Sequence, residues 1–279
     1  MYANSLRPSG NAVIVDNGYR ISGQWSLVSG CELAQWVMLT CMVEENGSMR
    51  MAAPGVPEMR LVFIEKPGFE VLDTWHVGGL KGTGSHDIVV NDYFVPHGHT
   101  CAPDDPPTLD EPTSYLPVIS TLAAGFSAQL LGLAQVSVET AIDIGRTKTS
   151  PGAALDMRDR SPTQVAVASQ EAAVNAARLY VHHVVQAVWD KAAQQLAPSM
   201  DEITAVWAAS AHAMDIARHA IDAMYEAAGT SSIYNHSRLE RIHRDARVML
   251  QHIIAHPMWL EEVGRYKLGL EPTNPQFAA

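Results

Sequence analysis

The sequence predicts an α+β protein in which a small antiparallel β domain, barrel or sandwich, occupies residues 1–110 and a four-helix bundle occupies residues 111–279. Three observations carry that expectation. Short runs of strand-forming residues, separated by Gly, Pro and Asn, fill the first hundred positions. A proline-rich stretch, Pro96 to Pro117 with Pro103, Pro106, Pro107 and Pro112 between, then interrupts them, and beyond it the apolar period lengthens to that of helices. At 279 residues, 47% hydrophobic and 18% charged, the chain suits two domains and has ample apolar material for buried cores, which excludes a disordered chain.

The strands come first. Val13, Ile14 and Val15 lead through Asp16, Asn17 and Gly18 into a run from Tyr19 to Trp25, and Asn-Gly between such runs signals a hairpin whose turn residues take positive φ. Further strand-like runs are Trp36 to Val43, Arg60 to Glu65, Phe69 to Val77 and Asp87 to Val95. The first helix is expected from about Ser114 to Arg146. A second starts at Ser161 as cap, with Pro162 at the first helical position and Gln164 closing a capping box, and runs past Trp189. Ser199 and Glu202 repeat the device. The helix that follows carries a stripe of Ile203, Trp207, Met214, Ala217, Ile221 and Met224, with Gly229 as its left-handed stop. A last helix is expected from about Ser237 to Ala255, completing the four of a bundle.

Charge and cysteine usage bound the function. Nineteen Lys and Arg against thirty Asp and Glu give a net charge of −11 with no basic run, which argues against nucleic acid or an anionic membrane surface as partner. No charge appears between Glu111 and Glu139, a length that imitates a membrane span, but Pro117, Ser120, Thr121, Ser127, Gln129, Gln135 and Ser137 are too polar for lipid and suit a central bundle helix. Cys31, Cys41 and Cys101 are odd in number and lack C-x-x-C spacing, so no disulfide framework or zinc site is expected. With an N-terminus, MYANSLRPSG, that lacks the apolar core of a signal peptide, this points to a reducing cytoplasm.

Few residues advertise chemistry by spacing alone. No P-loop, G-x-S-x-G elbow or H-E-x-x-H occurs, and Gly78, Gly79, Gly82 and Gly84 do not match G-x-G-x-x-G, so they read as a Gly-rich hairpin or bulge. His252 and His256 stand four apart on the expected last helix, but no third ligand has matching spacing and no metal is expected.

Longer motifs are more specific. Gly18-Tyr19-Arg20-Ile21-Ser22-Gly23-Gln24-Trp25, then Ser29-Gly30-Cys31 and Ala34-Gln35-Trp36; Asp73-Thr74-Trp75 leading to Gly79 through Asp87; Gly229-Thr230-Ser231-Ser232; and Arg244-Asp245 before Gln251-His252 stand in one order along the chain. Together they resemble the acyl-CoA dehydrogenase superfamily, in the branch of flavin-dependent monooxygenases that form two-component oxygenases. The resemblance runs from about Pro8 to about Gly264 and implies an acyl-CoA dehydrogenase-like β domain followed by a four-helix bundle. Family members begin with a helical domain, whereas this sequence starts inside the β domain, so a chain lacking the N-terminal helical domain is expected.

The resemblance also implies chemistry and partners. True acyl-CoA dehydrogenases use a glutamate base shortly after an Arg-Asp-Ala segment; here Arg244, Asp245 and Ala246 are followed to Ile254 by no carboxylate, and His252 stands near the expected place. That favours hydroxylation of an aromatic or other electron-rich small molecule, using O2 and reduced FMN, or FAD, supplied by a separate flavin reductase. By the same resemblance, Ser29 lies at the flavin N5 edge with Gly30 beside it and Trp25 packs next to the ring. Arg146 and the loop Gly229, Thr230 and Ser231 reach the flavin of an adjacent subunit in a homo-oligomer, a dimer or tetramer. His252 acts as base toward the substrate or hydrogen-bonds the activated oxygen. Gly82, Thr83 and Ser85 are given a structural role and Arg178 a place on a helix surface. The alternatives are an acyl-CoA dehydrogenase and a non-catalytic homologue that acts as a binding or scaffold protein.

Overall fold

A computed structural model describes residues 1–149, 152 and 154–278. The chain divides into two compact units, Met1–Pro107 and Thr108–Ala279, against the expected division after residue 110.

The first unit is built on one eight-stranded sheet. Its strands are β1 (Tyr2–Val15), β2 (Gly18–Trp25), β3 (Trp36–Glu45), β4 (Ser48–Met49), β7 (Met59–Glu65), β8 (Glu70–Leu72), β9 (Asp87–Pro96) and β10 (Thr100–Cys101), while β5 (Met51–Ala53) and β6 (Val56–Pro57) form a separate ribbon. The order is β10-β7-β3-β1-β2-β9-β8, with β4 on β3. The expected all-antiparallel sheet is corrected at one pair: β1 and β3 run parallel, Tyr2 opposite Trp36. After the β1–β2 hairpin the chain must reach the other side of β1, and residues 26–35 make that connection. Between Ser5 and Gly10 the pairing shifts, five steps along β1 against two along β3, so the strand bulges there.

Two local expectations also change. The hairpin turn is Asp16-Asn17, with only Asn17 at positive φ (64°), and Gly18 already pairs with Val15 inside the sheet. Gly18 serves close approach instead, because a Cβ there would run into the Val95 carbonyl. The run Phe69 to Val77 forms a strand only at β8, since the Thr74 and Trp75 amides donate to His86 Nδ1 (3.1 and 3.2 Å) rather than to a neighbouring strand.

Alternation along β3 drives Val37, Leu39, Cys41 and Val43 into a core shared with Ile21, Val62, Ile64, Ile88 and Val90. Trp25 lies at its centre beneath Gly10 and Gly23, which face each other across β1 and β2, and its Nε1 donates to the Thr40 carbonyl at 2.9 Å. A methyl group at Gly10 would run into that indole. Gly10→Ala is therefore expected to destabilise the unit by about 1–3 kcal/mol, read as a lower urea midpoint; an unchanged midpoint would refute the packing described.

The second unit holds α1 (Val118–Thr147), α2 (Ser161–Ala192), α3 (Met200–Ala228), α4 (Arg238–Met249) and α5 (Met258–Lys267). By length and composition α1 is the one described helix able to cross a membrane, yet it packs against α2 and α3 through small residues such as Ala123, Ser127, Ala134 and Ala141. Its buried hydroxyls are satisfied within the helix, Ser127 by the Ala124 carbonyl (2.8 Å) and Ser137 by that of Leu133 (2.9 Å). The expected stripe of α3 is wholly buried, and Gly229, at φ 57°, ends the helix. Its capping box is present, with Glu202 also held by Lys191 Nζ at 2.7 Å. Burial works against the Glu202 charge, but these hydrogen bonds from Lys191 and Ser199 prevail and bring its pKa down to about 2. The box expected at Ser161 is absent: Arg160 is the cap residue, and the Gln164 amide donates to the Arg158 carbonyl (2.9 Å).

The expected last helix is also corrected. It ends at Met249, becomes a 3-10 turn at Ile253–Ala255, and resumes as α5 after Pro257, whose ring disfavours helical backbone at His256 (ψ 138°). Past α5 the chain returns to the bundle. Buried Glu262 accepts from the Thr273 amide (2.8 Å), the Thr273 hydroxyl (2.6 Å) and the Asn274 amide (3.1 Å). Burial opposes its charge, yet these donors, with Arg265 nearby, hold its carboxyl below the ordinary glutamate value. A lowered folded-state pKa means that this stabilisation is complete above the unfolded value of about 4.3 and lost as pH falls through the native one. Glu262→Gln should flatten the acid limb of a stability–pH curve; an unaltered limb would refute the assignment.

Candidate functional site

In the first unit, residues 26–35 lie against the glycine-containing loop that precedes β9. Val28 N–H donates to the His86 carbonyl (3.0 Å), Gly30 N–H to that of Thr83 (2.8 Å), and Cys31 Sγ to that of Gly84 (3.6 Å). Three hydroxyls join the loops: Ser29 Oγ is 2.7 Å from Ser85 Oγ, which is 2.7 Å from Thr83 Oγ1, which donates to the Leu80 carbonyl at 2.9 Å. Ser29 is exposed, whereas Ser85 is 5% exposed. Trp75 Nε1 also donates to Leu80 (3.0 Å), and His86, accepting two amides at Nδ1, anchors the preceding bend.

The glycine cluster is thus not a plain hairpin or bulge. Lys81–Thr83 is a 3-10 turn flanked by left-handed Leu80 and Gly84, and it supplies the partners of Ser29. Gly30, at φ 77°, has nothing within 4 Å of where a side chain would begin, leaving open space beside the Ser29 hydroxyl. Burial raises the pKa of the Cys31 thiol, which argues against thiolate chemistry there.

Trp25 is placed differently from the expectation. It is 0% exposed and enclosed by its own sheet, so the indole has no face to offer a cofactor ring and its contribution is packing.

In the second unit His252 is exposed at the start of the 3-10 turn rather than on a helix. Its Nδ1 accepts the Ile254 amide at 3.2 Å, and its ring lies 5.2 Å from that of Phe126. With Nδ1 accepting, the neutral ring carries its proton on Nε2, so that edge can donate a hydrogen bond. His256 caps the other end of the turn, so the pair does not share a helical face, and among the described residues no group of three His, Cys, Asp or Glu is arranged for a metal.

Arg146 is exposed in the last turn of α1, and Gly229, Thr230 and Ser231 form a 3-10 turn after α3. The structure brings these two ends together, because Lys148, just past α1, donates to the Ala228 carbonyl at 3.2 Å. Lys148 was not singled out from the sequence; its signal is a second cation two residues beyond Arg146. Arg178 is exposed and donates to Gln135. Of the carboxylates around α4, Glu240 pairs with Arg244 (3.0 Å) and Asp222 with Arg247 (2.6 Å).

A mixed sheet unit followed by a helical unit is the architecture of acyl-CoA dehydrogenase-fold proteins, and residues 124–257 match the family described as acyl-CoA dehydrogenase, C-terminal domain. The chain is similar to members of that superfamily on its flavin-dependent monooxygenase side. It is 29% identical over 272 residues to the indole-3-acetate monooxygenase of Pseudomonas putida, covering 98% of this chain and 68% of that protein. The FADH(2)-dependent resorcinol hydroxylase, oxygenase component, of a Rhizobium species is 26% identical, over 98% of this chain and 69% of its own length. Among solved structures, the HsaA monooxygenase from M. tuberculosis superposes with a TM-score of 0.87 at 23% identity, covering 99% of this chain and 71% of that one.

Proposed function

We propose that this chain is an oxygenase component that hydroxylates an aromatic small molecule with reduced flavin and O2. The observation that carries the reading is the exposed Ser29 hydroxyl, backed by Ser85 and Thr83 and with open space at Gly30, in a chain whose curated relatives over 98% of its length include an indole-3-acetate monooxygenase and an FADH(2)-dependent resorcinol hydroxylase. Each unit by itself has donors that fit part of a flavin: the Ser29 hydroxyl and the open backbone at Gly30 suit a ring, and Arg146 and Lys148 with the Thr230 and Ser231 hydroxyls suit the phosphates of a flavin held by an adjacent subunit. When bound, the flavin supplies the oxygen activation that no side chain can. Ser29 holds the N5 edge of the ring, and Gly30 lets it approach the backbone. Arg146 and Gly229–Ser231 hold phosphate, and His252 donates from Nε2 to a substrate or oxygen atom.

The alternative dehydrogenase reading needs a free carboxylate base near the end of the bundle, and Glu240 and Asp222 are tied to arginines there. The partner that follows is a separate reductase supplying reduced flavin, FMN before FAD. A homo-oligomer is supported by Leu179, Tyr180, Val185 and Trp189, which α2 leaves exposed, and a reducing cytoplasm by three unpaired cysteines.

Anaerobic titration with reduced FMN and FAD, then admission of labelled O2 with a panel of phenols and indoles, tests the reading. Binding and incorporation of one labelled oxygen atom are expected, and Ser29→Ala should weaken reduced-flavin binding about tenfold, the worth of one hydrogen bond. A folded protein that binds neither flavin would overturn it in favour of a scaffold role.

A further inference from the structure

The three-hydroxyl chain has a direction. A hydroxyl has one proton to donate, and a carbonyl oxygen can only accept. Thr83 therefore directs its proton to the Leu80 carbonyl, 2.9 Å away, and must accept from Ser85. Ser85, with its proton toward Thr83, must accept from Ser29. The Leu80 carbonyl also receives Trp75 Nε1 (3.0 Å) and the Thr83 N–H (3.1 Å), and Ser85, the middle link, is buried. What reaches the surface is a Ser29 oxygen whose proton points inward and whose remaining lone pairs point out.

We propose that Ser85 and Thr83 are positioning residues that hold the Ser29 hydroxyl as an acceptor, so that this loop selects reduced over oxidised flavin. The inference rests on the flavin reading above. Reduced flavin carries a proton on N5 and donates to such an oxygen; oxidised flavin presents a lone pair at N5, which faces another lone pair. To receive the oxidised form, Ser29 must turn its proton outward and give up its bond to the buried Ser85, a loss of about tenfold in affinity.

The test is equilibrium binding of FMN and FAD, each oxidised and chemically reduced, to the full chain and to Ser85→Ala, Ser85→Thr, Thr83→Val and Ser29→Ala variants. The readout is the ratio of the oxidised to the reduced Kd. Ser85→Ala and Thr83→Val free the Ser29 proton and should lower the ratio about tenfold, mainly by tightening the oxidised form, while Ser85→Thr should keep it. Two variants at different links guard against a misfolded one. A merely structural role would weaken both redox forms equally, and an unchanged ratio in Ser85→Ala and Thr83→Val would overturn the proposal. If Ser29→Ala alone lowered the ratio, the chain would not orient the hydroxyl and the proposal would fall while the flavin reading stood. Failure of the parent to bind either form would overturn both.

Discussion

His252→Ala is expected to lower hydroxylation turnover about 10²-fold or more, the usual cost of removing a donor aimed at developing charge, while reduced-flavin affinity stays within about twofold, as for a group outside the flavin's own contacts. The argument comes from the second nitrogen of the ring. Because Nδ1 accepts the Ile254 amide, the neutral imidazole carries its proton on Nε2 and can give a hydrogen bond without taking a proton. An asparagine could do the same, since Asn274 in this chain accepts the Gln276 amide through its side-chain oxygen at the start of a similar 3-10 turn (2.9 Å). His252→Asn should therefore restore a measurable part of the turnover lost in His252→Ala. A general base would show no such rescue, because an amide cannot take the proton. Stopped-flow binding and product yield separate the two quantities, and equal turnover in His252→Ala and the parent would remove His252 from the site.

The second large effect is structural. Trp207→Ala should cost about 3–5 kcal/mol of stability, as for truncation of a fully buried aromatic side chain. Trp207 is 0% exposed, stacks on Trp259 with ring centroids 4.0 Å apart and an interplanar angle of 11°, lies 6.0 Å from the Phe277 ring, and donates to the Phe277 carbonyl at 2.9 Å. The substitution opens a cavity and strands that carbonyl at once. Trp207→Phe, which keeps an aromatic ring but loses the N–H, should cost less. Because Trp207 and Phe277 share one contact, the cost of Trp207→Ala should shrink in a Phe277→Ala background. Urea unfolding reads both results, and strict additivity would show that the returning C-terminal segment is not held by this stack.

The legibility of the site followed the range of its interactions. The motifs place Ser29, Gly30 and the Gly229 turn on loops, and the structure has them on loops, because loop formation depends on local sequence. Thr83 and Ser85 were visible as part of a motif but not as partners of Ser29, from which Ser85 is separated by 56 positions. Lys148 gained meaning only when its bond to Ala228, 80 positions away, brought the ends of α1 and α3 together. A motif tryptophan such as Trp25 reads the same whether it faces a ligand or a core; the glycines at positions 10 and 23 that enclose it come from two strands.

By itself, the sequence determined the change from strand to helix after the proline-rich segment, the buried stripe of α3, the Ser199 capping box and the family motifs, all of which depend on residues within a few turns or one strand of each other. Only the tertiary structure decided the parallel pairing of β1 with β3, the interruption of the last helix around His252, the ring nitrogen that accepts the Ile254 amide, and the direction of the Ser29 hydroxyl. The reason is physical: periodicity and caps are satisfied by neighbours in the chain, whereas a hydrogen bond's direction depends on every partner around it, and these partners meet only when the chain is folded.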